Sequence, residues 1–211
     1  GKILEGRVAI LVDGSPAVLT LPFLMYENFQ MSEDYYIKSY RASMVRIVRL
    51  FALIFSILMP GIYVALQEHH YQLFPIKYLV SVLGQITNIP LSPLLEMLFV
   101  LVIFEILNET SIRMPRYVSM ALSVVGAIIL GEAAVTAGLF SISSVIIVAI
   151  STVGLYCIPD EINSSSILRF AFVAVGGVLG IVGILLVMTG VLAYLCSINS
   201  YGIAYMSPFA P

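Results

Sequence analysis

The fold class this chain predicts is an all-α, multi-pass membrane protein, and three observations predict it. Of its 211 residues 60% are hydrophobic and only 10% charged, where soluble domains carry about 25% charged residues. The charges are segregated: nine of the ten Lys and Arg lie at or before Arg116, and none of any sign lies between Phe170 and Pro211. Apolar runs of spanning length recur between short polar connections. The expected architecture is about five spanning helices plus a re-entrant or interfacial helix, with a short β element at the N-terminal edge.

Taken in order, Arg7 to Leu21 reads as an extended pair, with VAILV and Ala17 to Leu21 flanking the turn dipeptide Asp13-Gly14. Gly1 to Gln30 lacks the basic-then-apolar order of a signal peptide, and the first residue is not Met. Residues 1–30 are therefore expected to be the edge of a truncated soluble domain. Residues 31–45 read as a juxtamembrane amphipathic helix, with Ser32 as N-cap, Glu33 and Asp34 in the first turn and basic residues later. A basic helix running into an apolar one marks the cytoplasmic side.

Residues 46–211 form the expected membrane domain. Leu50 to Leu66 is the first span, extended by Arg46 and Arg49, which can snorkel, and interrupted by Pro60-Gly61. Ile76 to Ile89 is apolar but shorter than the roughly 20 residues of a spanning helix, so it is read as re-entrant or interfacial. Ser92-Pro93 opens the next helix with a cap and a first-turn proline. It runs to about Glu109, and the pair Arg113 and Arg116 returns the chain to the cytoplasm. Tyr117 to Leu139, Ser141 to Ile158 and Arg169 to Cys196 complete the spans.

Several function classes are excluded at this level. A net charge of −2 argues against nucleic acid. Cys157 and Cys196 sit in apolar runs, where a thiol acts as a small hydrophobe, so neither a disulfide framework nor a zinc site is expected. His69 and His70 are adjacent instead of one helical turn apart and suit a metal poorly. No phosphate loop, His-Glu-x-x-His motif or serine triad signature is present. The chain is read as no enzyme, with no cofactor and no metal.

Two constellations could carry function. Glu105, Glu109 and Arg113 fall at successive helical turns and share a face, with Glu96 further up the same helix. They read either as an ion ladder at a helix end or as a polar lining whose deepest member is Glu105. Glu132 is the one charged residue between Arg116 and Asp160, in an apolar run where an ionisable group is costly. At helical spacing it joins Ala121, Val125, Ile128 and Thr136. Around an axis of several copies, Glu132 and Thr136 would form polar rings and Val125 and Ile128 a constriction that closes by dewetting. The competing reading makes Glu132 a structural tie to a neighbouring helix. Opposite lies a small-residue stripe, Ala127, Gly131, Ala134 and Gly138, read with Gly176, Gly180 and Gly183 as helix packing.

These residues together resemble a family, the A subunits of spore germination receptors. The resemblance runs over nearly the whole chain. It is carried by Glu5-Gly6-Arg7-Val8-Ala9, Asp13-Gly14-Ser15-Pro16, Glu33-Asp34-Tyr35-Tyr36 and Pro60-Gly61-Ile62-Tyr63-Val64-Ala65. It continues through Glu96, Glu105, Glu109, Ile112-Arg113, Val125-Gly126, Ala133-Ala134-Val135, Ala137-Gly138-Leu139, Arg169-Phe170 and Ser200-Tyr201-Gly202. Leu101 and Glu132 depart from it, standing where a further Glu and a neutral polar residue are expected.

The resemblance implies a soluble domain before Gly1 and a hydrophilic tail after Pro211. It also implies a homo-oligomer in the lipid of the spore's inner membrane, forming a cation channel with monovalent cations as cargo. Its partners would be a transporter-like B subunit and a lipoprotein C subunit, with a non-conducting scaffold as the alternative role.

Overall fold

The computed structural model describes residues 3, 6–16, 18–77, 80, 84 and 89–207. By contacts the chain divides into two compact units, Gly1–Phe51 with Met188–Pro211, and Ala52–Val187.

In the first unit, β1 (Val8–Leu11) pairs antiparallel with β2 (Val18–Leu21), Val8 opposite Leu21 and Leu11 opposite Val18. The connection turns where the dipeptide predicts: Ser15 N–H donates to the Val12 carbonyl and Gly14 takes a φ of +79°, a backbone region glycine enters without strain. Arg7 anchors this hairpin, donating to the Pro22 carbonyl at 2.8 Å and pairing with the Glu27 carboxylate at 2.6 Å.

The expected helix over 31–45 begins later than its residue pattern implies. A 3₁₀ turn, Ser32–Tyr35, comes first, and α1 is one unbroken helix from Ser39 to His69. Ser32 makes no cap; the Asp34 carboxylate instead accepts from the Met31 N–H at 3.2 Å. The same carboxylate takes two bonds from Arg49, at 2.8 and 3.1 Å, and one from Arg46 at 3.2 Å. Hydrogen bonding to Arg49 outweighs desolvation and holds its pKa below the ordinary 3.8. The two arginines expected to snorkel are thus committed to a buried acid.

The chain beyond the last helix returns to this unit. A short hairpin, β3 (Asn199–Ser200) with β4 (Ile203–Ala204), meets residues 23–28. Met25 N–H donates to the Tyr205 carbonyl at 3.0 Å and Phe23 N–H to Ser200 Oγ at 3.2 Å. The segments flanking the first and last helices therefore lie side by side.

The second unit is helical. Its elements are the rest of α1, α2 (Pro93–Arg113), α3 (Arg116–Ile128, continued as a π-helix over Ile129–Ala134), α4 (Ile142–Leu155) and most of α5 (Ile162–Ser197). Most of the 76–89 segment, read as re-entrant, lies outside the described residues. Ser92 caps α2 through Leu95 N–H with Pro93 in its first turn, and Ser141 caps α4 through Ser144 N–H. Three helical stretches among the described residues are long and apolar enough to cross a membrane: Ser39–His69, Tyr117–Ala134 and Ile162–Ser197. The core joins Tyr63, Val64, Met97, Val100, Leu101, Leu130, Val148 and Val173. Leu101 is fully buried there.

Helix α5 is broken at Gly180, whose φ of 64° and ψ of −150° fall in a region essentially reserved for glycine. Cβ atoms one turn apart normally lie about 5–6 Å apart. A Cβ built on Gly183 would come within 2.6 Å of the Leu179 Cβ and 2.9 Å of the Val175 carbonyl, and one on Gly176 within 3.3 Å of the Ile184 side chain. Eight residues along a straight helix span about 12 Å. The backbone therefore bends back sharply at Gly180, bringing residues 175–179 against residues 183–184. The glycines read as one packing stripe are what let this bend close.

Candidate functional site

The α3 face singled out by periodicity is open. Ala121, Val125, Ile128, Glu132 and Thr136 are all exposed, and Ile128, Glu132, Ala133, Thr136 and Ala137 border an open recess of about 530 Å³. Glu132 lies in the π-helical turn, a distortion often found at functional sites. Among the described residues it makes no ion pair or hydrogen bond through its side chain. Leu139 N–H to the Ala134 carbonyl and Gly138 at φ +71° end the helix.

Of the expected packing stripe, Ala134 is buried within its own chain and Ala127 and Gly131 are exposed. Nothing lies within 4 Å of a Cβ on Gly131. Inside contact is made by Gly126, Leu130 and Ala134, with a Cβ on Gly126 meeting the Leu107 methyls at 3.0 Å. The buried line 126–130–134 carries a leucine in its middle, and the small-residue line 127–131–134 runs beside it. Ala134 belongs to both, and only the first packs on α2.

The acids of α2 do not form one lining. Glu96 is buried and accepts from Ser141 N–H at 2.7 Å and Ser141 Oγ at 2.8 Å, which sets a carboxylate at the positive end of α4. Glu109 pairs with Arg113 on the surface, Nε to Oε1 at 2.7 Å, as the expected ladder has it. Glu105 leaves that ladder: its Oε2 accepts from Arg169 Nη2 at 3.3 Å and Ser166 Oγ at 3.1 Å. Leu94 N–H donates to Glu68 at 3.1 Å, a further carboxylate capping a helix start.

Arg169 is the residue whose role the sequence pattern does not convey. It is 1% exposed and its Nη1 also donates to Thr152 Oγ1 at 3.0 Å and Ser151 Oγ at 3.2 Å. Ser151 Oγ in turn donates to the Ser56 carbonyl at 2.6 Å. That carbonyl is an orphan of the helix, because Pro60, four residues on, has no N–H. Gly154 leaves room for Ser56, whose Oγ would clash with any Cβ there. One polar chain thus runs from Glu105 on α2 through Arg169 on α5 and Ser151 on α4 to the Pro60 gap in α1. The available signal was Pro60 itself, which demands a donor from another helix.

Comparison with known proteins agrees with the membrane architecture. The family model described as Bacillus/Clostridium GerA spore germination protein matches residues 1–211. Spore germination protein KA of Bacillus subtilis (strain 168) is 40% identical over 213 residues, covering 100% of this chain and 39% of that protein. Spore germination protein GerQA of Bacillus cereus is 36% identical over 211 residues, 99% of this chain and 42% of the relative. The uncharacterized membrane protein YfkQ of Bacillus subtilis (strain 168) is 35% identical over 212 residues, 100% of this chain and 41% of the relative. The chain thus spans about two-fifths of the length of these relatives. No solved structure matches. A multi-helix membrane architecture, a full-length family match and relatives at this identity establish that the chain belongs to the GerA family of spore germination proteins.

Proposed function

We propose that this chain is the membrane domain of a germination-receptor A subunit, which self-associates through α3 and lines a gated cation path in the spore's inner membrane. A transporter-like B subunit and a lipoprotein C subunit would be its partners. The observation that carries the reading is the open α3 face, where Glu132 has no partner among the described residues on an apolar helix. A carboxylate left against lipid costs several kcal/mol, so a second copy or a water path is expected to cover it. In a ring of copies, Glu132 and Thr136 supply polar oxygens while Val125 and Ile128 narrow the path and close it by dewetting.

The arrangement also bears on topology. The bonds from Met25 and Phe23 to residues 200–205 hold both flanks of the membrane domain on one face, which calls for an even number of crossings. In the second unit, Glu68–Leu94, Glu96–Ser141 and His69 beside Gly180 mark one end. Glu105–Arg169 and Asn108–Tyr156 mark the other. Among the described residues, six crossings would meet both conditions: α1 to α4, then the stretches of α5 before and after Gly180. Five would leave the ends apart.

A specific observation favours the scaffold reading for part of the site. Glu96 and Glu105 are each bonded across helices, so we assign them to assembly and keep conduction for the α3 face. The experiment is ion flux from liposomes or spores carrying the complete receptor. Val125→Ser or Val125→Ala is expected to leak cations without germinant, and Glu132→Ala to lower cation selectivity or conductance. Parental flux in stably assembled variants of both kinds would leave the chain a scaffold.

A further inference from the structure

The first unit carries a surface that none of the above uses. At the start of α1, Tyr40, Met44, Ile47, Val48 and Phe51 recur at helical spacing, and all are exposed. Tyr36 and Tyr40, 90% and 73% exposed, lie at the foot of this stripe. Tyr201, 78% exposed, lies on the hairpin bonded to residues 23–28 in the same unit. Tyrosines concentrate where an apolar body meets lipid tails and a hydroxyl meets headgroups. The stripe thus gives lipid tails a surface and the tyrosines set its polar boundary.

Charge selects among lipids at that boundary. Four basic residues stand between Lys38 and Arg49, and they divide into two pairs. Arg46 and Arg49 are neutralised by the buried Asp34. Lys38 and Arg41 are exposed and have no acidic partner among the described residues. Glu33, the exposed acid of the preceding turn, pairs with neither. Both free cations stand at the N-terminal end of α1, where the helix dipole adds positive potential instead of relieving it.

We infer that this surface, Lys38 and Arg41 flanking Tyr40 and following Tyr36 at the start of α1, seats the chain on anionic phospholipid headgroups of the leaflet in which α1 begins. The occupant is a lipid phosphate, because the cations sit at the foot of a stripe that is itself apolar and outward. A protein partner for the cations would leave that stripe unexplained. The seat is independent of whether α3 conducts.

The chain has no Trp, so Tyr36→Trp gives a single reporter at the surface. The protein is reconstituted in vesicles of phosphatidylcholine and phosphatidylglycerol in equal amounts, with one or the other lipid brominated on its chains. Quenching is expected from both, with an apparent preference of roughly fivefold for brominated phosphatidylglycerol, the effect of one cation at a membrane surface. High salt should reduce the preference. Adding Lys38→Gln and Arg41→Gln should abolish the preference and leave quenching itself intact. Equal quenching by the two lipids in the reporter protein overturns the inference, as does a preference that survives the double substitution. Absence of quenching by either lipid also overturns it and reassigns the surface to water or another protein.

Discussion

Breaking the Glu105–Arg169 pair from its two sides should have unequal effects. Arg169 is 1% exposed as a side chain, whereas the Glu105 side chain is 36% exposed. Glu105→Gln therefore strands a full positive charge among the neutral hydroxyls of Ser151, Thr152 and Ser166. Removing one partner of a buried pair costs about 3–5 kcal/mol, and this change belongs at the upper end. Arg169→Met leaves a carboxylate that still reaches polar surroundings, while Ser151 and Thr152 keep the Ser56 and Val148 carbonyls as acceptors. Its cost is set at the lower end, about 3 kcal/mol. Replacing both charges removes the desolvated pair altogether, a change often near neutral, so Glu105→Gln with Arg169→Met should recover most of the loss. Equilibrium unfolding in mixed SDS and non-ionic micelles, followed by far-UV circular dichroism, measures all four proteins. About 3 kcal/mol is a change of more than a hundredfold in the folded ratio. Additive losses in the double variant, or Arg169→Met more harmful than Glu105→Gln, would refute the pairing as described.

Three further outcomes follow from the fold. Gly180→Ala forces a Cβ into a backbone region held by glycine and to 3.2 Å from His69, and should cost about 1–3 kcal/mol. Gly190→Ala, with nothing within 4 Å of the new Cβ, should be neutral or stabilising by up to about 1 kcal/mol. Ser151→Ala leaves the Ser56 carbonyl without a donor, a loss of about 1–3 kcal/mol. Most of that loss should vanish in a Pro60→Ala background, where the helix supplies its own N–H; the same unfolding assay reads both pairs. The Asp34 clamp has a depressed folded pKa, so its contribution is complete above the unfolded carboxyl's pKa. It falls away as pH drops through the folded value. Hydrogen exchange at residues 29–36 should rise in that acidic window, and Asp34→Asn should raise exchange at neutral pH and flatten the dependence.

Local chemistry was legible wherever a short run of residues settles it. Asp13-Gly14 makes its hairpin, and Ser92-Pro93 and Ser141 open their helices, because caps and turns are decided within a few residues. Ala121, Val125, Ile128, Glu132 and Thr136 are grouped by helical period alone; Ala127 and Gly131 on the opposite stripe are exposed as well, so exposure does not set that face apart. The small-residue stripe was harder, since Ala127 and Gly131 meet the spacing rule while the buried line beside them is Gly126, Leu130 and Ala134, with Gly126 against Leu107. Arg169 was opaque for a stronger reason. Its acid lies 64 residues away on another helix, and nothing local marks the two as partners. The break at Gly180 was hidden among Gly176, Gly177 and Gly183, which the same rule reads as one seam along an uninterrupted helix. The late start of α1 has a physical cause as well: Asp34 accepts from Met31, Arg46 and Arg49 at once, which holds residues 32–35 as a separate turn.

Cross-linking between copies through α3 tests the account most directly. With Cys157 and Cys196, both free thiols, replaced by serine, single cysteines at Val125, Glu132, Ala127 and Leu130 would be oxidised in assembled receptor. The account predicts disulfide-linked pairs from Val125→Cys and Glu132→Cys, and none from Leu130→Cys, which packs inside its own chain. Links from Ala127→Cys alone, or none from either position on the open face, would contradict a path lined by α3.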